Sequence, residues 1–186
     1  LSTILADKQN WRTHGLPQNP WSFSIQYRRT FLEMPFGESS GFRYTYRFRS
    51  EMKGPLGKLR LALERPQLYA VEINRRRLDN PSWEPWFDEE MGTVVISDYI
   101  EQGWNEISIE CTPFHPLAEI MPACLLGAFT LKPHEAGFSL VDEKEADLGD
   151  WTSNGNPFYP GWMRYTFPCE LTTDTKAVEV RLPAWE

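Results

Sequence analysis

Aromatic side chains accompanied by short polar side chains are the residues of this sequence best suited to chemistry. They concentrate in two stretches rich in Pro, Gly and Asn, DNPSWEPWFD at 79–88 and LGDWTSNGNPFYPGWMRY at 148–165. The apolar C–H face of a sugar ring stacks on an exposed Trp or Tyr, while its hydroxyls exchange hydrogen bonds with Asp and Asn. The candidate carbohydrate-binding residues are therefore Trp83, Trp86, Asp88, Trp151, Asn154, Asn156 and Tyr159. The alternative for each Trp is packing in a core or against a neighbouring domain.

The acidic residues do not suggest a hydrolase site. Hydrolysis of a glycosidic bond needs two carboxyl groups that face each other across the bond. Asp88, Glu89 and Glu90 are adjacent in one loop, which favours a solvated acidic turn, with a cation or sugar-hydroxyl site as the alternative. We therefore assign no catalytic residue and expect that the isolated chain is not an enzyme.

The other side chains that could carry chemistry occur singly. None of the three histidines lies in a nucleophile motif with Ser or Cys, and the three cysteines lack the spacing of a zinc site. A glycine-rich phosphate loop is also missing from the sequence. We therefore predict neither a cofactor nor a metal ion from these residues, which are His14, His115, His134, Cys111, Cys124 and Cys169.

The charge balance argues against nucleic acid as a partner. Lys and Arg number 19 against 26 Asp and Glu, which gives a formal charge of −7, whereas phosphates attract a basic stripe. The same balance gives no reason to expect binding to an anionic membrane, and no apolar run is long enough to span a bilayer. The triple arginine at 75–77 is the local exception, and we interpret it as a solvated turn.

Period-two alternation predicts the strands that would position the aromatic loops. The stretch 56–78 holds two such runs, 59–63 and 69–73, separated by Arg65-Pro66-Gln67 and closed by Asn74, a residue that tolerates a left-handed turn. We expect the two strands to bury a shared apolar face against a second sheet. Further strands are predicted at 23–27, 42–49, 93–96, 106–111, 125–131, 163–171 and 177–182, with loop at 11–21 and 79–88 and a short helical turn or loop at 1–8.

About ten strands with almost no helix indicate an all-β fold, a β-sandwich or jelly roll. The apolar phase of these strands should form its core. The predicted inward residues are Phe42, Tyr44, Tyr46, Phe48, Leu59, Leu61, Leu63, Val71, Ile73, Ile107 and Ile109.

Three consecutive runs resemble a known domain family. LRLALERPQLYAVEIN, WEPWFDEEMGTVVI and ISDYIEQGWNEISIE are together similar to the galactose-binding-like jelly roll of glycoside hydrolases. They resemble in particular the sugar-binding domain of glycoside hydrolase family 2 and related domains of rhamnosidase-type enzymes. The later run LGDWTSNGNPFYPGWMRYTFPCEL resembles another run of those multidomain proteins, so the likeness covers 44–186. One departure is Asn74-Arg75, where the family usually has Asn-Gly.

The resemblance implies a galactose-binding-like fold, a secreted or periplasmic location and, in many such domains, a structural calcium ion. We expect residues 1–186 to form a single β-sandwich domain, a fragment of a larger protein; alternatively, 148–186 opens a second, truncated sandwich. The leading interpretation is a non-catalytic accessory domain of a larger glycoside hydrolase, with carbohydrate and the neighbouring domains of the parent chain as partners. The alternatives are an autonomous carbohydrate-binding module and a scaffold or protein-interaction sandwich.

Overall fold

The computed structural model describes residues 2–16, 30, 32–53, 57–135, 137–159, 161–166 and 168–180. Within these residues one helix, ten strands and two 3-10 turns, at Pro66–Leu68 and Ser97–Tyr99, are formed. The longer elements are α1 (Thr3–Thr13), β1 (Phe42–Ser50), β2 (Arg60–Glu64), β3 (Ala70–Ile73), β4 (Arg76–Arg77), β5 (Glu84–Trp86), β6 (Asp88–Val95), β7 (Gly103–Cys111), β8 (Cys124–Leu126), β9 (Phe129–His134) and β10 (Gly137–Asp142).

The strands form two packed sheets, so the protein is a β-sandwich. Within the described residues the first sheet has six strands in the order β4-β3-β7-β1-β10-β9, and the second has four in the order β5-β6-β2-β8. Neighbouring strands pair antiparallel, except that β1 and β10 pair parallel through Arg49 with Ser139 and Ser50 with Leu140. The predicted β-sandwich is thus confirmed, with the addition of one helix.

The alternation of β1 and β7 sorts their side chains between core and solvent as expected. The two strands pair along their whole length, from Phe42 opposite Cys111 to Ser50 opposite Gly103. On the outer face, Arg43 contacts Glu110 at 3.0 Å and Arg47 contacts Glu106 at 2.7 Å. These cross-strand ion pairs are exposed and add little stability each, but they show that this face meets solvent.

The two central strands lie in different sheets. β2 belongs to the four-stranded sheet and β3 to the six-stranded sheet. The two strands therefore do not bury one shared face, as expected, but face each other across the core. Arg65, at φ 46°, and the 3-10 turn Pro66–Leu68 carry the chain from one sheet to the other. Proline interrupts the ladder, but alternation alone gives no sign that the sheet changes.

The main core lies between the sheets and contains most of the predicted inward residues. Tyr44, Tyr46 and Phe48 pack against its edge, half-buried. Phe42 instead joins a second, smaller cluster with Trp11 and Phe114. The buried residues of the main core are Met52, Leu59, Leu61, Leu63, Val71, Ile73, Leu78, Ile96, Ile107, Ile109 and Leu140.

Four sequence predictions about where strands lie were wrong. The predicted strand at 125–131 is two strands, because the chain passes between sheets at Gly127, where an added Cβ would lie 3.2 Å from Leu59 Cδ1. The predicted loop at 79–88 includes β5, whose Pro85 is tolerated because β5 is an edge strand. The described parts of 163–171 and 177–182 contain no strand. The strand predicted at 23–27 lies outside the described residues.

The N-terminal residues form a full helix rather than a single turn, and α1 extends into the predicted loop at 11–21. The Asp7 carboxylate accepts a hydrogen bond from the Ile120 amide at 3.0 Å, which fixes the helix to the irregular segment before β8. His14 Nδ1 donates to Asn10 O at 2.8 Å, and its Nε2 accepts from the Gly41 amide at 3.0 Å. His14 also stacks on Phe114, so its role is structural.

Over the described ranges no helix has the length and apolarity needed to cross a bilayer.

Candidate functional site

The first predicted loop forms a hairpin tip between β5 and β6. Trp83 is half-buried and packs against the main core. It therefore follows the alternative interpretation, in which a Trp serves packing and not sugar binding. Trp86 is 39% exposed and its ring lies 6.3 Å from that of Phe87, which is 93% exposed. Phe87 adopts a φ of 66°, a costly conformation for an aromatic residue. The tip therefore presents two aromatic rings to solvent.

Asp88 stabilises the bend that follows these rings. One oxygen of its carboxylate accepts hydrogen bonds from the amides of Glu90 at 2.8 Å and Met91 at 2.9 Å. The register of β5 and β6 shifts at this point, as expected where extra residues bulge from an antiparallel pair. Asp88 thus has a structural role beside the rings, and its contact with sugar stays a prediction.

The second predicted loop is held by its own polar groups. Trp151 Nε1 donates to Tyr159 O at 3.2 Å, and the Asn156 amide donates to Trp151 O at 3.0 Å. Asn154 Nδ2 donates to Asp150 O at 3.0 Å. Hydroxyl and backbone hydrogen bonds from Thr152 lower the pKa of Asp150. The loop is thus a set of local turns with Trp151 half-buried and Tyr159 exposed.

This loop covers the free edge of β9. The Leu131 amide donates to Gly155 O at 2.8 Å, so the loop satisfies a donor that an edge strand would otherwise expose. Gly155 has a φ of 89°, and an added Cβ would lie 1.9 Å from Thr130 Cγ2. Only glycine therefore permits this approach, which fixes the loop on the six-stranded sheet.

The structure places the two predicted loops at opposite edges of the sandwich. β5 is the outermost strand of its sheet, on the side away from β8. β8 leads directly through Gly127 into β9, the outermost strand of the other sheet, so β8 and β9 share one edge and β5 lies at the other. The candidate residues therefore form two surfaces, one around Trp86 and one around Trp151.

A polar cleft of about 580 Å³ lies beside the second surface, between the β9–β10 hairpin and residues 143–155. Asn154 lines it, together with cations and carboxylates that include Lys53, Lys132, Glu51 and Asp142. The Lys53 amide donates to both oxygens of Asp142, at 3.1 and 3.2 Å. Such a mixture of donors and acceptors suits the hydroxyl groups of a sugar.

The electrostatics of the cleft do not favour acid catalysis. Hydrogen bonding to Lys132 is the main cause that lowers the pKa of Glu51, and nearby Arg49 adds to the effect. A glycosidase general acid needs a raised pKa. Burial raises the pKa of Asp7, but Asp7 does not line the cleft.

Across the part of the chain that the structure describes, no group of three His, Cys, Asp or Glu side chains could hold a metal ion.

Sequence reasoning missed Trp104, which is 56% exposed on the outer face of β7. Its position in the strand could have revealed it. In GWNEISIEC, Trp104 shares the solvent phase with Glu106, Ser108 and Glu110, while Ile107 and Ile109 take the core phase. A large aromatic on the polar phase of an amphipathic strand is a candidate for recognition.

Comparisons of the chain with protein-family models, with curated protein sequences and with solved structures find no match. The resemblance of 44–186 to galactose-binding-like domains therefore stays an expectation.

Proposed function

We propose that this chain is a non-catalytic, carbohydrate-associated domain with the galactose-binding-like jelly-roll fold, part of a larger secreted or periplasmic glycoside hydrolase. The observation that carries the proposal is the placement of exposed aromatic rings on loops at both edges of the sandwich, one of them beside a polar cleft. Loops on a rigid sheet scaffold are where recognition is usually placed. The sequence resemblance supports the parent enzyme class.

A supporting role is favoured over a catalytic one by the charges of the second surface. The pKa values of Glu51 and Asp150 are both lowered, chiefly by hydrogen bonds from Lys132 and Thr152. Carboxylates of this kind stay ionised at neutral pH, accept hydrogen bonds from hydroxyls and donate no proton to a leaving group.

Docking against a neighbouring domain is the second candidate function. Phe87 is 93% exposed and Trp162 is 97% exposed, although large apolar side chains are costly to leave in water. They would meet either a sugar face or another protein surface. The first outcome makes the chain a carbohydrate-binding module, and the second makes it a scaffold.

Sugar titration of the isolated chain tests the proposal. We expect a saturable response to oligosaccharides with a Kd on the order of 0.1–1 mM, equivalent to about −4 to −5.5 kcal/mol, because a shallow surface buries little area. Trp86→Ala and Trp151→Ala should each remove the part of the response that belongs to their own edge. Val95→Ala, which truncates an exposed apolar side chain elsewhere on β6, is the matched control and should leave the response unchanged.

Two results would overturn carbohydrate binding through these loops. The first is a chain that gives no saturable response to any sugar while remaining folded. The second is a response that survives in the double variant Trp86→Ala with Trp151→Ala. Turnover of a nitrophenyl glycoside that is lost in a Glu51 or Asp142 variant would overturn the non-catalytic role instead.

A further inference from the structure

Four residues form a straight row across the outer face of the six-stranded sheet, which we call the outer row. They are Trp104 on β7, Arg49 on β1, Ser139 on β10 and Lys132 on β9. The strand register places each beside the next, since Trp104 is opposite Arg49, Arg49 opposite Ser139 and Ser139 opposite Lys132. Paired residues on neighbouring strands share one face of a sheet.

The adjoining positions confirm that this face points away from the core. Leu140 and Leu131, which pair with each other one step along the hairpin, both lie at the core. Ile107, on the opposite phase from Trp104, is buried there as well. The outer row therefore lies on the solvent side of the sheet: Trp104 is 56% exposed, and the side chains of Arg49 and Lys132 are 39% and 61% exposed.

The outer row carries an excess of positive charge. Glu51 is shared between Arg49, at 3.3 Å, and Lys132, at 3.1 Å, so two cations face one carboxylate. The next cation along β1, Arg47, has its own partner in Glu106 at 2.7 Å. Lys132 also borders the carboxylates of the cleft, Asp142 among them, so an anion would be attracted chiefly to the Arg49 side of this cluster, beside Trp104.

The aromatic ring is held in place beside that charge. Trp104 lies 6.0 Å from the ring of His134 and is nearly perpendicular to it, at 87°. A guanidinium can only donate hydrogen bonds, so Arg49 Nη1 donates to His134 Nε2, at 3.3 Å. His134 thus links the indole to the guanidinium and keeps the two groups side by side.

A buried polar group lies beneath the same cluster. Ser139 is 1% exposed, and its hydroxyl lies close enough to Glu51 to help lower the pKa of that carboxylate. Its oxygen nevertheless has no partner at good hydrogen-bonding geometry among the described residues. Native structures rarely leave a buried hydroxyl in that state.

We propose that the outer row binds a sugar ring that bears a carboxylate, a uronic acid. The ring would stack on Trp104, and the carboxylate would bind Arg49 and Lys132 in exchange for Glu51. Trp104 is opposite Arg49 on the neighbouring strand, and neighbouring strands lie about 4.8 Å apart, so the carboxylate of a ring stacked on Trp104 would be within reach of the Arg49 side chain. Arg recognises a planar carboxylate through two parallel hydrogen bonds. The site shares Lys132 and Glu51 with the cleft beside the second loop surface, whereas Trp104 and Arg49 belong to neither loop.

Isothermal titration of the whole chain with trigalacturonate, in parallel with neutral galactotriose, tests the site. We expect trigalacturonate to bind and galactotriose to bind about tenfold more weakly or not at all at this site. Trp104→Ala and Arg49→Gln should each weaken trigalacturonate at least about tenfold, while Trp104→Phe, which keeps a ring, should restore most of the affinity. Raising the salt from about 0.05 M to about 0.5 M should also weaken binding, since exposed charges are screened.

Arg47→Gln is the matched control, because it removes the same charge from the same strand and face but outside the outer row. It should change the affinity by less than about twofold. Equal loss in Arg47→Gln and Arg49→Gln would show non-specific attraction and overturn the site. Equal affinity for galactotriose, equal affinity for acetate, or no binding of trigalacturonate at low salt would overturn it as well.

The loop variants separate this site from the proposed function. Trp86→Ala and Trp151→Ala should leave trigalacturonate affinity unchanged, and Trp104→Ala should leave the response to neutral sugars unchanged. Circular dichroism and the melting temperature of each variant establish that a lost response reflects a lost contact.

Discussion

Asn74 and Asn105 fasten the turn after β3 to the start of β7. Asn74 Nδ2 donates to Asn105 Oδ1 at 2.7 Å and to Tyr99 O at 2.9 Å. Asn105 is fully buried, and its side chain also bonds the backbone of Glu101 and Gly103. Both asparagines belong to the sequence runs that carry the family resemblance. Those runs therefore specify this hydrogen-bond network, which braces the backbone, as well as the strands.

Asn105→Ala should lower the free energy of unfolding by about 2–4 kcal/mol, because several buried groups lose their partner at once. Urea denaturation measures the change. A double-mutant cycle with Asn74→Ala should be less than additive, since both residues serve one network. A loss below about 0.5 kcal/mol would contradict the brace.

Arg75 occupies a backbone conformation that glycine adopts more easily. It has a φ of 65° and follows Asn74 at 49°, so both central residues of the β3–β4 turn have the positive φ of a type I′ hairpin. Arg75→Gly should stabilise the protein by about 0.5–1 kcal/mol, after allowance for the greater freedom of glycine in the unfolded chain. Arg75→Ala keeps the strain and is the control for loss of the arginine. Equal effects of the two substitutions on the melting temperature would contradict the argument.

Asp7 should make stability fall as pH rises. Burial raises its pKa from 3.8, an effect larger than the opposing hydrogen bond from the Ile120 amide. The folded state therefore binds the proton more tightly than the unfolded state, and the resulting stability is present below pH 3.8 and lost as pH rises through the folded pKa. Asp7→Asn keeps an acceptor for Ile120 and should be more stable than the parent at pH 7. The difference should vanish towards low pH, and a difference that grows on acidification would contradict the sign.

Among whole elements, the strands with clean alternation could be predicted from the sequence, and their sheet membership could not. β1 and β7 match their predicted phases because each buries one face against the same core. The crossings at Arg65 and Gly127 depend on contacts between residues distant in the chain. Val178 and Val180 alternate with Glu179 yet form no strand, since alternation alone does not supply a partner strand with free hydrogen-bonding groups.

Leu61 is the central packing residue of β2. It is fully buried within the main core, so Leu61→Ala should lower the free energy of unfolding by about 2–5 kcal/mol through lost burial and a residual cavity. Val95→Ala, an exposed truncation opposite Arg60 on the neighbouring strand, should change it by less than about 0.5 kcal/mol. Chemical denaturation of both variants measures the contrast, and similar costs for the two would contradict the assigned core.

For the molecule as a whole, the amino-acid composition was enough to locate the two aromatic loops in the sequence. Their positions relative to each other depend on the sheet topology. Trp83 shows why composition is insufficient, since it lies in the same loop as Trp86 yet packs inward. Trp86 and Trp151 lie at opposite edges because β5 and β9 end their sheets on opposite sides, and nothing local to either loop encodes that placement. Trp104 could have been recognised from its strand phase, but its charged neighbours come from β1 and β9.

The exposed apolar side chains at the two edges predict how the isolated chain behaves in solution. Phe158 and Trp162, in the second predicted loop, are 70% and 97% exposed, and Phe87, at the β5 edge, is 93% exposed. If these rings dock a neighbouring domain, the isolated chain should self-associate through them, with sedimentation coefficients that rise between about 10 µM and about 1 mM, a range set by small interfaces.

Trp162→Ser should shift this association to higher concentration more than Phe87→Ser does, because Trp162 lies beside a second exposed ring, Tyr159, whose hydroxyl donates to Trp162 O at 3.0 Å. Val95→Ser, a change at an exposed apolar residue away from both surfaces, should leave association unchanged. A chain that stays monomeric throughout, and whose rings are protected by oligosaccharide in fluorescence quenching, would exclude docking and favour sugar as the partner of these surfaces.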